Sequence, residues 1–254
     1  VIVFAPLDAA GIVPAVKRAN EKGALVFSID DGPAGGEVTA TVRADNLNAG
    51  VQGAEEMVRR LKGKACWSDN SCSVLELQGG LATPNGLDRS DGFADTLRAL
   101  APDVKLIQRP TEWTADMAAD AAQNVLTQNP SLTGILMASE LMATAVNAQL
   151  KRAGKDAAVG DPDSVIRVAI DGTPQGLQLI RDGALDATVS QPLSAYATKT
   201  AELIELVSKG GTIELGPKPD GQVIDTPVGP QYQLNATLVT KENVDAPGLW
   251  ANQL

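Results

Sequence analysis

The sequence predicts an α/β protein built on parallel sheets with helices packed on both faces. Three observations lead there. Apolar runs of strand length alternate with amphipathic stretches of helical length along most of the chain. Polar residues collect immediately after the apolar runs, where sheets of this class bind ligands. The 254 residues are 44% hydrophobic, enough for a sizeable core in one large domain or two smaller lobes.

The elements follow in order. VIVFA (1–5) reads as a strand, and the helical pattern AAGIVPAVKRANEKG after it has Asp8 as an N-cap and Gly23 as the residue past its end. ALVFSID (24–30) is the next strand. A helix is expected over 46–62, with Val51, Ala54, Met57 and Leu61 on one face. Strands at 73–78, 104–108, 133–138, 165–170 and 184–190 then alternate with helices at 87–100, 115–127, 141–153, 174–181 and 195–208. From Gly210 onward the chain is rich in Gly and Pro, with one strand-like run, QLNATLVT (233–240).

Composition narrows the function. A formal charge of -10 and a pI near 4.5 argue against a nucleic-acid partner. No apolar run reaches the roughly 18 residues of a membrane span. The chain contains no histidine, which excludes Ser-His-Asp and Cys-His mechanisms and imidazole metal sites. Carboxylate or lysine chemistry remains open, but no metal site and no cofactor are called for. Cys66 and Cys72 are either free thiols in a polar loop or a local disulfide, and two thiols are too few for a zinc centre. A disulfide implies an oxidising compartment and hence export. Val1 lies inside an apolar run without an initiating Met, so further residues upstream are expected.

The groups after the strands are Asp30-Asp31, Gly79-Gly80, Arg109, Ser139-Glu140, Asp171 and Gln191. Asp171 and Asp30 each end an apolar strand, as a helix cap or as a charged acceptor for a ligand. Their repetition in two strand-helix units favours acceptors facing a shared cleft. Arg89 opens a helix, in a surface ion pair with Asp88 or Asp91 or as a fork of donors for hydroxyls. Trp113, in a chain with 3% aromatics, is a core side chain or a flat face for a sugar. GGLATPNG (79–86) lacks the residues of a phosphate-binding loop and reads as a strand-to-helix connection.

Four segments, in this order and spacing, resemble the periplasmic sugar-binding proteins of ABC importers of the ribose/galactose type. They are ALVFSIDDGPAGGEVTATVRADNLNAG, DRSDGFADTL, ASELMATAV and VAIDGTPQGLQLIRDGALDATVSQ. The resemblance implies two Rossmann-like lobes with parallel sheets joined by a hinge, the type I periplasmic binding protein fold. Lobe 1 would comprise 1–44 and 192–235, and lobe 2 would comprise 45–191 and 236–254. It implies a clamp that closes on a monosaccharide or polyol and delivers it to a membrane permease, with no catalysis. The ligand-binding residues carried over are Asp30, Arg89, Trp113, Ser139, Asp171 and Gln191, with Asp31 beside them. A periplasmic or extracellular monomer, soluble or lipid-anchored, would follow.

Three departures from the family pattern stand out. Asp31 occupies a position where an arginine is expected, and Ser139 one that is usually an amide. Both point away from a ribose or hexopyranose bound in the usual pose and toward a donor-rich polyol. VIVFAPLDAAGIVPAV matches the family's third strand and following helix, so the first strand-helix-strand is expected to precede this sequence. The Cys66–Cys72 loop reads as a staple away from the ligand edge. Two alternatives stay open: a receptor of the same fold for a signal molecule or amino acid, and the effector domain of a sugar-responsive transcription regulator.

Overall fold

The computed structural model describes residues 1–254, and the chain divides into two compact units. Unit 1 comprises Val1–Asp45 and Pro192–Ala236, and unit 2 comprises Asn46–Gln191 and Thr237–Leu254. Each is assembled from two separate stretches of sequence.

Unit 1 begins with β1 (Ile2–Phe4), α1 (Val13–Glu21), β2 (Val26–Ile29) and β3 (Ala40–Ala44). Unit 2 follows with α2 (Asn46–Leu61), the short α3 (Ala65–Ser68), β4 (Ser73–Gln78), α4 (Pro84–Leu100) and β5 (Lys105–Pro110). It continues through α5 (Ala115–Gln128), β6 (Gly134–Met137), a 3-10 turn (Glu140–Met142) and α6 (Ala143–Arg152). Next come β7 (Ile166–Asp171), α7 (Pro174–Arg181) and β8 (Ala187–Ser190). The chain returns to unit 1 for α8 (Leu193–Ser208), β9 (Gly216–Lys218), β10 (Gly221–Ile224) and β11 (Gln231–Leu234). It ends in unit 2 with β12 (Thr237–Val239) and a 3-10 turn (Trp250–Asn252).

The unit 1 sheet has the order β1-β2-β3-β11-β10-β9, and the unit 2 sheet has the order β12-β8-β7-β6-β4-β5. The central pairings are parallel, as strand-helix alternation requires. The exceptions are antiparallel: β9–β10–β11 in the first sheet and β12 against β8 in the second. The sheets are therefore mixed at their edges rather than wholly parallel.

Three local readings change. Asp8 does not cap α1: its Oδ1 accepts from the amides of Ala10 and Gly11 in a preceding turn, and the helix starts at Val13 with Pro14 in its first turn. Gly23 does sit past the helix end, at φ 66, where a side chain is disfavoured. The run 233–240 is two strands, β11 and β12, in different units, broken at Asn235 and Ala236. β3 and the β9–β10 hairpin are strands that the sequence reading did not assign.

Unit 2 packs helices on both faces of its sheet. One face buries Leu75, Leu77, Ile135, Met137, Met142, Val146 and Leu150 among α5, α6 and α7. The other buries Met57, Leu61, Val74, Phe93, Leu97, Leu136 and Val168 beneath α2 and α4. α2 and α4 approach closely through glycine. A Cβ on Gly50 would lie 2.3 Å from the Arg89 carbonyl oxygen, and one on Gly92 would lie 2.1 Å from that of Leu47. This contact sets the height of Arg89 above the sheet.

Unit 1 buries Phe27, Val42, Tyr196, Leu203, Tyr232 and Leu234 on one side and Val16, Ala19, Val26 and Val38 on the other. Its returning strands are tied to α8 by Lys199, which lies 3.0 Å from Asp220 and 2.7 Å from Glu202 and sits 5.0 Å from the Tyr232 ring centre. The Tyr232 hydroxyl donates to Asp220 Oδ1. Cys66 and Cys72 form a disulfide between α2 and β4, at the amino end of the unit 2 sheet. No helix is long and apolar enough to cross a membrane.

Candidate functional site

The carboxyl ends of the unit 2 strands carry a tight polar cluster centred on Asp171, the last residue of β7. Arg89 reaches it from α4, whose N-terminus is set by Thr83 accepting the Gly86 amide (3.2 Å) and by Pro84 in the first turn. Arg89 Nη1 donates to Asp171 Oδ1 (2.9 Å) and to the Ala138 carbonyl (2.6 Å), and Nε donates to Asn46 Oδ1 (2.7 Å). Gln191 Nε2 donates to Asp171 Oδ1 (2.7 Å) and Ser139 Oγ donates to Oδ2 (2.6 Å). Both oxygens of the carboxylate thus accept hydrogen bonds, one of them charge-assisted.

The Asp171 side chain remains 17% exposed while that of Arg89 is 4% exposed. The ion pair is nearly desolvated on the arginine side and reachable on the acid side. Arg89 makes no ion pair with Asp88 or Asp91 in this arrangement; its charge partner is Asp171.

The backbone is unusual at the same places. Asp171 has φ 134, Trp113 φ 63 and Asp30 φ 69, and each was singled out in the sequence as a ligand-contacting residue. Left-handed backbone at non-glycine residues is disfavoured and concentrates at functional sites. Asp171 is not a helix cap, because Thr173 caps α7 by accepting the Gly176 amide at 3.0 Å. The Asp171 carbonyl accepts from the Gln191 amide (3.1 Å) and the Trp250 indole N–H (3.2 Å).

Trp113 is placed by glycine. A Cβ on Gly79 would lie 2.2 Å from a ring carbon of Trp113, and one on Gly80 would lie 2.8 Å from its indole nitrogen. The Gly79-Gly80 pair, read in the sequence as a plain connection, is the floor on which the ring lies. The Arg89 guanidinium carbon sits 5.4 Å from the ring centre, within cation–π range. Trp113 is half-buried and also packs against the unit 2 core. One side chain therefore meets both the core and the Arg89 guanidinium.

Asp30 and Asp31 belong to unit 1, at the carboxyl end of β2. The Asp31 amide donates to the Ile29 carbonyl (2.8 Å), closing a three-residue turn with Asp30 at its centre. Asp31 is buried; its Oδ1 accepts from the Gly32 amide (3.1 Å), and its carbonyl accepts from Ser28 Oγ. Within unit 2, then, Arg89, Trp113, Ser139, Asp171 and Gln191 converge, and the two acids stand on the corresponding edge of the unit 1 sheet.

Three participants lie outside the expected ligand-binding set, although Glu140 was among the polar groups after the strands. Asn46, fully buried at the start of α2, bridges Arg89 Nε to Asn85, donating to the Asn85 side-chain oxygen at 2.9 Å. Its position read only as a helix start. Trp250 lies in the Pro/Gly-rich tail, where no periodicity marks it. Glu140 is buried behind Asp171, and burial pushes its carboxyl up to about 7, against hydrogen bonds from Thr173 and Thr188 that act the other way. Arg109, by contrast, lies exposed on the edge strand β5 and donates to the Gln108 carbonyl (2.8 Å).

Fold and site together define a two-unit α/β protein with charged acceptors at its strand ends. A family model for a periplasmic binding protein domain matches residues 1–212, and the chain belongs to that family. The D-allose-binding periplasmic protein of Escherichia coli (strain K12) is 30% identical over 234 residues, covering 89% of this chain and 71% of that protein. A ribose import binding protein of Escherichia coli (strain K12) is 27% identical over 214 residues, covering 84% of this chain and 67% of the relative. Among solved structures, an ABC transporter solute binding protein from Bacillus halodurans with bound myo-inositol superimposes with a TM-score of 0.75 at 20% identity. It covers 96% of this chain and 75% of its own, a likeness of fold.

Proposed function

We propose that this protein is a solute receptor that binds a neutral polyhydroxylated molecule, a monosaccharide or polyol, and hands it to an ABC permease at the outer face of the cytoplasmic membrane. The observation that carries this reading is the Asp171 carboxylate, oriented by Arg89, Ser139 and Gln191 while its own edge stays accessible. A carboxylate held so is a ready acceptor for ligand hydroxyls, and its donors are preorganised rather than recruited on binding.

Each residue has a role in this reading. Asp171 accepts from ligand hydroxyls, Arg89 and Gln191 donate to ligand oxygens, and Trp113 covers an apolar C–H face. Asp30 and Asp31 add acceptors from unit 1. An acceptor carboxylate of this kind fits a neutral, donor-rich ligand best. The protein works by binding alone: ligand contributes its differential affinity for the closed form, and no bond is made or broken. The family's membership in import systems supports a periplasmic site of action, and we propose a monomer.

A thermal-shift panel of D-allose, D-ribose, myo-inositol, sugar acids and amino acids tests the reading. A tight ligand at 100 times its Kd stabilises the fold by about 2.7 kcal/mol. A shift with a neutral polyol or sugar, abolished in Asp171→Ala, is the expected result. A shift with amino acids or sugar acids alone overturns it.

A further inference from the structure

We propose that Glu140 is the positioning residue of this site: its carboxylate anchors the Gly172–Thr173 turn and thereby fixes the orientation of Asp171. This rests on the reading of Asp171 as a ligand-binding group. Glu140 itself has no route to solvent, being only 2% exposed.

The geometry is specific. Glu140 Oε1 accepts from the Gly172 amide (3.0 Å) and from the Thr188 hydroxyl. Oε2 accepts from the Thr173 amide (2.7 Å) and from the Thr173 hydroxyl. Each oxygen therefore holds one backbone N–H and one hydroxyl. The two amides belong to the residues directly after Asp171, where the chain runs through φ 134 at Asp171 and φ 74 at Gly172. Left-handed backbone of this kind persists only where surrounding contacts hold it. Glu140 supplies those contacts from the 3-10 turn that follows β6, next in sequence to Ser139, which grips the Asp171 side chain.

The chain makes room for this carboxylate. A Cβ on Gly176, in the first turn of α7, would lie 2.0 Å from the Glu140 carboxyl carbon. A carboxylate at a helix N-terminus is also stabilised by the exposed amides of the first turn. Glutamine cannot replace it. With a backbone N–H aimed at each oxygen, either orientation of an amide sets its NH2 against a donor.

The structure supplies its own reporter. The Trp250 indole N–H donates to the Asp171 carbonyl, whereas the other two tryptophans, Trp67 and Trp113, do not. In nitrogen-15 spectra, Glu140→Gln is expected to displace the Trp250 indole peak while leaving that of Trp67 in place. Thr188→Val removes one hydroxyl but neither backbone bond, so it leaves the Trp250 peak near its wild-type position even where it lowers Tm. Affinity for whichever of D-allose, D-ribose and myo-inositol the wild type binds should fall at least about tenfold in Glu140→Gln.

A folded Glu140→Gln with an unmoved Trp250 peak and unchanged affinity overturns the proposal. Should that variant fail to fold, amide exchange in the wild type decides: slow exchange at Gly172 and Thr173 supports the anchor, and fast exchange at both overturns it. A wild type that binds none of the three probes sinks the sugar reading alone, because the Trp250 and exchange measurements still judge Glu140.

Discussion

Arg89 and Asp171 form an ion pair at 2.9 Å across unit 2, joining a helix that sits on one face of the sheet to the end of a central strand. The arginine is almost fully buried, and its Nε and Nη1 also donate to Asn46 and the Ala138 carbonyl, both neutral acceptors. Removing the acid therefore leaves a charge with no comparable partner.

Asp171→Ala should destabilise unit 2 by about 3 kcal/mol, the scale for stripping one partner from a buried ion pair. Asp171→Asn keeps shape and an acceptor oxygen and should cost less. Urea unfolding of the three proteins measures this. Equal stability of wild type and alanine variant would mean that Arg89 finds another partner.

Gly79→Ala should expel Trp113 from its seat, because the added methyl would overlap the ring carbons. The Arg89–Trp113 contact goes with it. The expected outcome is a red shift of tryptophan emission and a loss of polyol-induced thermal stabilisation. Unchanged emission would show that the ring lies elsewhere.

Gly176→Ala is favourable by intrinsic helix propensity, by about 1 kcal/mol. Here the methyl collides with the Glu140 carboxylate. The variant is expected to unfold at lower urea than wild type, against the propensity. Gly154→Ala is no fair control, since that glycine has φ 67.

The stability of the protein should fall as pH rises from about 5.5 to 8. Burial pushes Glu76 up from 4.5 to about 7, and burial also raises Asp186. Between 4.5 and 7 the folded chain holds protons that the unfolded chain has released, so folding is favoured at the acid end of that interval. The chain has no histidine to oppose the slope. Against burial, Glu56 is held down by Arg59 and Arg60 and Asp220 by the Tyr232 hydroxyl and Lys199, and their contribution is lost only at lower pH. Guanidine unfolding at pH 5.5 and 8 gives the slope, and Glu76→Gln should flatten it. A flat profile in the wild type would contradict the buried-acid account.

The Cys66–Cys72 disulfide closes a short loop at the amino end of the unit 2 sheet, away from Asp171, and reduction opens it. A cross-link of this span is worth about 2 kcal/mol in the chain-entropy picture. Dithiothreitol should lower Tm yet leave ligand affinity within about twofold, a change of under 0.5 kcal/mol. Loss of binding on reduction would tie the loop to the site.

Much of this architecture was legible because periodicity reports what it is caused by. α7 is bounded by Pro174 and capped by Thr173, both visible in the sequence, and its expected range matches the observed one. The acids at strand ends were legible because a charge breaking an apolar run has few other uses. β3 was missed since ATVRA carries an arginine at a buried position, which reads as a strand end. The β11–β12 break was missed because both halves alternate like one strand, and nothing local says that Asn235 and Ala236 leave one sheet for another. The roles of Glu140 and Asn46 were illegible for a different reason. Their partners lie 32 to 48 and 39 to 43 residues away, beyond any pattern that a single helix or strand imposes.

The strand order also governs when the molecule can form. β11 sits between β3 and β10 in the unit 1 sheet, and β12 borders β8 in the unit 2 sheet. A ribosome must therefore have made residues 231–234 before β3 gains its second neighbour, and 237–239 before β8 does. Neither sheet can therefore be completed until the late stretch of chain that carries both strands has been made.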